Sequence, residues 1–182
     1  MAGIIRSYRG ITPRIGPDVF IADNAVVIGD VEIGAGASIW YGCVVRGDAA
    51  PIRIGARTNL QDGTIVHVNG PRSTGTAAMP THIGDDITVG HAALIHACTL
   101  QSRCFIGMRS VILDLAVVET GAMVAAGAVV GPGKVVKAGE LWSGVPAKLF
   151  RNLRPEEVEY FAESVRTYVD LAGHHMATAK PV

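Results

Sequence analysis

Three histidines are the residues of this chain best suited to chemistry: His67, His91 and His96. A neutral imidazole is a common ligand of zinc and of other transition metals. Catalytic zinc usually takes three protein ligands and keeps its fourth position for water, which it turns into a nucleophile at neutral pH. Whether these three side chains can meet depends on the elements that hold them.

A repeat of six residues organises most of the chain. Aliphatic residues recur at every sixth position in four series: Ile15, Ile21, Val27, Ile33, Ile39, Val45; Ile54, Leu60, Val66; Ile83, Val89, Ile95; and Leu100, Ile106, Ile112, Val118, Val124, Val130, Val136. This period matches neither the turn of a helix nor the alternation of an ordinary strand. It suits a short strand, a corner and another strand at an angle, so that three repeats close a triangular coil around the aliphatic residues. The sequence therefore predicts an all-β fold, a parallel β-helix of hexapeptide repeats shaped as a triangular prism.

The repeat is interrupted at three places. Three residues are in excess between 45 and 54, eleven are in excess between 66 and 83, and one is missing between 95 and 100. The longest excess falls in 69–81, a segment rich in Gly, Pro, Ser and Thr, and these residue types favour turns and loops. We therefore expect a loop that protrudes from one corner of the prism.

A C-terminal α-helix is expected after the last coil. Pro155 and the two glutamates that follow it suit the first turn of a helix, and Gly173 predicts its end. We expect a β-helix domain over residues 11–153 and a helix over residues 154–173 that packs along the prism. The tail from residue 174 onward is expected to fray, and its pair of histidines is interpreted as incidental rather than as a metal site.

Counting along the coils, with the interruptions removed, predicts which side chains stack. His67 and His96 each follow an inward aliphatic residue and lie one coil apart, so both should point outward from the same face. Arg46 belongs to the same column, one coil before His67. Asp62 and His91 form a second column on the preceding face. Two outward imidazoles one strand spacing apart can chelate a metal, but His91 lies on a different face of the same coil.

A neighbouring subunit can supply the missing third ligand. In a threefold trimer of prisms, the His67 and His96 face of one subunit would meet the His91 face of the next and build three equivalent sites. The same arrangement would bring Arg46 near Asp62 of the partner subunit, a pair suited to interfacial bonding. The alternative is that the histidines are ordinary polar surface residues.

These residues lie in motifs that resemble those of the gamma-class carbonic anhydrases and their bacterial relatives. The motifs are Arg-Gly-Asp at 46–48, Asn-Leu-Gln-Asp at 59–62, His67, Val-Gly-His at 89–91, His96, Ile-Gly-Met at 106–108, Ile-Leu-Asp at 112–114 and Gly-Val-Pro-Ala-Lys at 144–148. The resemblance covers roughly residues 11–153. It implies a left-handed coil and the reversible hydration of carbon dioxide to bicarbonate.

The resemblance also implies roles for individual residues. His67, His91 and His96 would bind zinc, or iron or cobalt, at the interfaces of a homotrimer, with one histidine supplied by the adjacent subunit. Gln61 would orient the metal-bound hydroxide or bicarbonate. The residues that would structure the interface and the site are Arg46, Asp48 and Asp62, and Asn59 is included among the expected site residues as part of the same motif as Gln61.

The sequence departs from the most active members of that family at the proton-transfer step. Those members carry a glutamate directly after the Arg-Gly-Asp motif and another in an acidic loop, whereas this chain has Ala49 and no Asp or Glu in 69–82. Hydration would then be slow, depend on buffer or use His82, or the site would serve another small substrate. Two other functions stay open: an acyltransferase that uses acyl-CoA, because hexapeptide prisms often bind that cofactor, and a weakly active or non-catalytic metal-binding or scaffold protein.

Composition excludes several classes of partner. With 16 basic and 16 acidic residues, the 182-residue chain has no formal net charge, which argues against binding to nucleic acid or to anionic membranes. No apolar run reaches the length of a membrane span, and the first residues lack the apolar core of a signal peptide, so we expect a cytoplasmic protein. Three cysteines, Cys43, Cys98 and Cys104, without CxxC spacing are interpreted as small buried thiols.

Overall fold

The chain folds into a parallel solenoid of about eight turns, followed by one helix. The computed structural model describes residues 3–71, 75 and 77–178. The predicted all-β architecture of hexapeptide repeats with a C-terminal helix is confirmed. Within the described residues no helix is long and apolar enough to cross a membrane.

Most strands are only two or three residues long, because each coil must turn a corner every six residues. They are β1 (Ile4–Arg6), β2 (Arg14–Ile15), β3 (Phe20–Ile21), β4 (Val26–Ile33), β5 (Ser38–Ile39), β6 (Val44–Ile54), β7 (Asn59–Leu60), β8 (Ile65–His67), β9 (Thr81–Ile83), β10 (Thr88–Val89), β11 (Leu94–His96), β12 (Thr99–Leu100), β13 (Phe105–Ile106), β14 (Val111–Ile112), β15 (Val117–Val118), β16 (Met123–Val124), β17 (Val129–Val130), β18 (Val135–Val136), β19 (Glu140–Ser143) and β20 (Lys148–Asn152).

Successive coils pair in register, with one strand stacked on its equivalent in the next coil. Val45 pairs with Val66, Val66 with Ile95, and Ile95 with Ile112. Every residue of the predicted aliphatic series is buried except Ile15, which is partly exposed. Removing each such side chain from water contributes about 1.5–3 kcal/mol to folding, so the six-residue period is the pattern of the core itself.

The strands form two sheets. An eight-stranded sheet, from β3 to β20, makes one face of the prism. A twelve-stranded sheet runs from β17 through β8 to the long strand β6, and on through β9 to β18. The strand β6 therefore joins the face that carries β8 and β11 to the face that carries β9 and β12.

The predicted interruptions fall at corners. Between β4 and β6 the register passes from Gly29 and Gly47 directly to Val31 and Ile52, which leaves 48–51 as a bulge. The long insertion is closed at its base by an antiparallel bridge between Asn69 and Met79, and residues 72–74 and 76 within it lie outside the described residues.

The C-terminal helix α1 (Pro155–Thr178) begins as predicted but continues past the expected end. A carboxylate oxygen of Glu157 accepts a hydrogen bond from the backbone N–H of Arg154 at 2.9 Å, which caps the first turn. At the other end, the hydroxyl of Tyr41 lies 3.0 Å from Nδ1 of His175, whose ring packs against Trp40. This packing explains why the helix runs through Gly173 and why residues 174–178 are helical rather than frayed; residues 179–182 lie outside the described part.

The three cysteines are free and buried, as expected. Burial raises the pKa of Cys43 and of Cys98 to about 12, and it raises the pKa of Cys104 as well. None of the three therefore presents a thiolate at neutral pH.

Candidate metal centre

His67 and His96 stack on one outer face, as the counting predicts. They end strands β8 and β11 and are paired in register, with side chains about a quarter exposed. Nδ1 of His67 lies 3.3 Å from Nε2 of His96. Two nitrogens bound to one tetrahedral zinc at 2.0–2.1 Å would lie roughly 3.3–3.4 Å apart, so this pair has the spacing of two metal ligands.

A carboxylate holds the far side of each ring. Nε2 of His67 lies 3.1 Å from an oxygen of Asp48, and Nδ1 of His96 lies 2.6 Å from an oxygen of Asp114. When each outer nitrogen donates its hydrogen to a carboxylate, the two inner nitrogens face each other as lone-pair acceptors. A shared cation satisfies that arrangement, and the carboxylate partners fix the ring orientation in the way typical of metal-binding histidines.

The electrostatics at this column favour a neutral imidazole beside an ionised carboxylate. Burial lowers the pKa of His67, and the nearby positive charge of Arg46 lowers it further, against the opposing effect of Asp48. Burial works to raise the pKa of Asp48, but hydrogen bonds from His67 and Arg46 outweigh it, so the pKa lies below its usual value. A neutral imidazole keeps the lone pair that a metal requires.

His91 occupies the second predicted column, away from the other two histidines. It lies at the corner after β10, and its Nδ1 is 3.0 Å from an oxygen of Asp62, with both side chains nearly half exposed. In the part of the chain that the structure describes, no three His, Cys, Asp or Glu side chains gather into a metal-binding group. One chain therefore presents two ligands on one face and a third on another.

Gln61 lies beside His91, and Asn59 lies on β7, in the other sheet from the one that carries the stacked pair. Both are buried, and the amide nitrogen of Gln61 donates to the side-chain oxygen of Asn59 at 3.3 Å. Asn59 in turn donates to the hydroxyl of Thr88 at 3.0 Å. Asn59 therefore positions Gln61 from within the wall of the prism.

A cavity of about 330 Å³ opens next to this pair, and we call it the His91 cavity. Gln61 and His91 line it from the prism, and α1 contributes Tyr160, Ser164 and Tyr168. Burial raises the pKa of Tyr168, and the charge of Asp62 adds to the shift. The cavity is small and mixes apolar walls with a few polar groups, as small-molecule sites do.

Comparison with known proteins assigns the family. Residues 12–47 match the family model described as "Bacterial transferase hexapeptide (six repeats)". The chain is 44% identical to a protein of Geobacillus kaustophilus named carbonic anhydrase, over 96% of this chain and 92% of the relative. This chain belongs to the gamma carbonic anhydrase family.

Two further relatives are also similar to this chain. The gamma carbonic anhydrase 2, mitochondrial, of Arabidopsis thaliana is 49% identical over 90% of this chain, and the chain spans 59% of that protein's length. A crystal structure of a hexapeptide transferase family protein from Anaplasma phagocytophilum is 44% identical, with a TM-score of 0.89 over 96% of this chain and 99% of that one.

This gamma carbonic anhydrase family member has one more residue at the stacked pair, Asp114, for which the sequence pattern predicts no role. The coil after His96 is one residue short, so counting stacks Leu113 on His96; Asp114 is the next residue, and its carboxylate reaches back to the His96 ring. The amide of Asn69 binds its other carboxylate oxygen. The side chains that α1 adds to the His91 cavity had no comparable signal, because they depend on how the helix docks.

His82, considered above as a proton carrier, does not lie on the column of Arg46, His67 and His96, which we call the metal column. It is exposed on β9, opposite Arg53 of β6 and Thr99 of β12. Ala49 is exposed within the bulge, directly after Asp48.

Proposed function

We propose that three copies of this chain assemble around a threefold axis and catalyse the reversible hydration of carbon dioxide to bicarbonate. His67 and His96 of one subunit and His91 of the partner subunit would hold a divalent metal, zinc or alternatively iron or cobalt. The observation that carries the proposal is the pair of facing ring nitrogens, 3.3 Å apart, each backed by a carboxylate.

The metal would supply one piece of chemistry. Bound zinc lowers the pKa of water to near 7 and so makes a hydroxide nucleophile available for carbon dioxide at neutral pH. Asp48 and Asp114 would hold each imidazole in the tautomer that keeps a lone pair on its inner nitrogen. The partly exposed side chain of Arg46 binds Asp48 within the subunit, and in the proposed trimer it would approach Asp62 of the partner subunit.

Gln61 would orient the substrate. Its amide is fixed by Asn59, is nearly buried and lines the His91 cavity, so it offers a polar group of set orientation to a small molecule. The cavity, about 330 Å³, has ample room for carbon dioxide or bicarbonate.

Proton release would be the slow step of the reaction. The chain has Ala49 after the Arg-Gly-Asp motif, and residues 69–82 contain no carboxylate. His82 lies on another face from the metal ligands. Protons would therefore leave to dissolved buffer rather than to a fixed side chain, and turnover at low buffer would be slow.

Acyl transfer from acyl-CoA is the second candidate, because a solved relative is named as a hexapeptide transferase family protein. That chemistry needs a histidine free to act as a general base. His67 and His96 face each other and are each engaged by a carboxylate, which fits metal binding better. A non-catalytic scaffold that retains the metal is the third candidate.

The deciding experiment combines metal analysis, mass in solution and kinetics. We expect purified protein to be a trimer with about one zinc per chain and to hydrate carbon dioxide in stopped-flow assays. His91→Ala and His96→Ala should both lose metal and activity, whereas His82→Ala should keep both. A metal-free protein that transfers acyl groups would overturn the proposal, and bound zinc without hydration would favour the scaffold.

A further inference from the structure

A second cavity, of about 630 Å³, lies along the other flank of α1. The helix lines it with a stripe of apolar side chains spaced three or four residues apart: Val158, Ala162, Val165 and Val169. Among the described residues, it shares no lining residue with the His91 cavity. The helix thus separates two distinct cavities, and this one plays no part in the metal chemistry.

Three arginines line this cavity, which we call the arginine groove: Arg57, Arg103 and Arg166. Arg57 is bound to Asp86 by two hydrogen bonds of 2.7 and 2.8 Å. In the described part of the chain, the side chains of Arg103 and Arg166 have no hydrogen bond or ion pair. Two cations without partners therefore lie beside an apolar stripe.

The apolar stripe and the two unpartnered arginines together favour an amphipathic anion as the ligand. An apolar stripe exposed to water gains free energy when hydrocarbon covers it, and Val158 is 46% exposed here. Guanidinium groups match the planar fork of a carboxylate. From Val158 to Val169 the helix advances roughly 16 Å, which accommodates an extended alkyl chain.

The charge balance selects a singly charged head group. Asp86 and Asp170 also line the groove, so its three arginines leave a surplus of one positive charge. A carboxylate carries one negative charge at neutral pH, whereas a phosphate monoester carries nearly two and the phosphates of coenzyme A carry more. The two aspartates would repel such groups more strongly than they would repel a carboxylate.

We propose that the arginine groove binds an alkyl monocarboxylate, with its carboxylate at Arg103 and Arg166 and its chain along the stripe from Val158 to Val169. The volume falls within the roughly 300–1,000 Å³ range of small-molecule sites. This site is independent of the proposed carbon dioxide hydration, because it shares no residue with the metal column.

Titration of the full-length protein with octanoate, below its micelle concentration, tests the proposal by calorimetry. We expect saturable binding of one octanoate per chain. Arg103→Gln and Arg166→Gln should each weaken binding by about tenfold, the loss of one charge-assisted hydrogen bond. Arg6→Gln is the matched control: Arg6 is an exposed arginine on β1 that does not line the groove, and its substitution should leave affinity unchanged.

An uncharged ligand, a blocking variant and an NMR measurement make the test specific. Octanol should bind at least about tenfold more weakly than octanoate, since it lacks the charge. Ala162→Phe, which fills the exposed part of the stripe, should abolish binding. Arginine side-chain NMR should show that octanoate shifts the Nε signals of Arg103 and Arg166 but not that of Arg6, a readout that holds even if Ala162→Phe fails to fold.

Four results would overturn the proposal. They are no saturable binding of octanoate, equal affinity for octanol, tighter binding of octyl phosphate, and affinities of the groove variants equal to that of Arg6→Gln. His91→Ala should bind octanoate as the wild type does, so a failed metal centre and a failed groove give different results.

Discussion

Nδ1 of His67 faces Nε2 of His96 across 3.3 Å, and Asp48 and Asp114 occupy the opposite sides of the two rings. When both outer nitrogens donate to these carboxylates, the two inner nitrogens are acceptors, and acceptors this close in a partly buried site repel each other unless a cation lies between them. The parallel register of β8 and β11 brings the two rings together, and the carboxylates on neighbouring coils orient them. The geometry of the pair is thus a direct product of the six-residue repeat.

Asp114→Asn should weaken metal binding by about 10- to 100-fold, because the neutral amide no longer orients His96 or raises the basicity of its other nitrogen. Competition with a zinc chelator of known affinity measures this. Asp18→Asn, at an exposed carboxylate on another coil, is the control and should bind zinc as the wild type does. Equal zinc affinity of the two variants would contradict the assigned role of Asp114.

Mixing His67→Ala chains with His91→Ala chains should restore activity that neither variant has alone. If His67 and His91 of one site come from different subunits, each mixed trimer contains one intact site of three, so an equal mixture regains about a quarter of the wild-type sites. The chains are unfolded together, refolded with zinc and assayed for carbon dioxide hydration. If the mixed trimers stay inactive, the result would contradict a site in which His67 and His91 come from different subunits.

Periodicity explains how much of this molecule is predictable. Because each coil repeats the last, counting residues is enough to predict that His67 stacks on His96 and that Asp62 stacks on His91. The prediction holds although a long insertion separates the members of each pair. The docking of α1 has no such rule. It depends on contacts such as that between Tyr41 and His175, so neither the helix end beyond Gly173 nor the burial of Gln61 under the helix follows from the sequence pattern.

The three thiols should be inert in the folded protein. With the pKa of Cys43 and Cys98 at about 12, roughly one thiol in ten thousand is ionised at pH 8, and burial blocks reagents as well. Ellman's reagent at pH 8 should detect no thiol in the native protein and all three in guanidinium chloride. Rapid labelling of any native thiol would contradict this.

Glu157 should stabilise the start of α1 in a pH-dependent way. Two hydrogen bonds of 2.7 Å from Arg151, and the backbone bond from Arg154, hold the pKa of Glu157 well below its usual range. Because the folded-state pKa is lower, the stabilisation is complete above the unfolded pKa near 4.5 and is lost as the pH falls below it.

Thermal melts of Glu157→Gln, with Glu156→Gln in the same turn as the matched control, test this stabilisation. Glu157→Gln should melt well below wild type at pH 7, and the gap should narrow steadily below about pH 4.5, where wild-type Glu157 begins to lose its advantage. Glu156→Gln should differ little from wild type at any pH, because Glu156 makes one exposed ion pair with Arg154. A gap that stays constant from pH 7 to pH 3 would exclude the ionised carboxylate as its source.

The rate of carbon dioxide hydration should rise with buffer concentration. Ala49 is exposed within the bulge, directly after Asp48 and next to the metal column, so a carboxylate introduced there lies within reach of protons released at the site. Ala49→Glu should raise the rate at low imidazole concentration and reduce its dependence on buffer, because an internal acceptor replaces the dissolved one. Ala35→Glu, at an exposed corner between β4 and β5 that does not border the face of β8 and β11, adds the same charge and should leave the buffer dependence unchanged. A wild-type rate that does not respond to buffer would mean that another group of the chain already carries the proton, and that proton release is not the slow step.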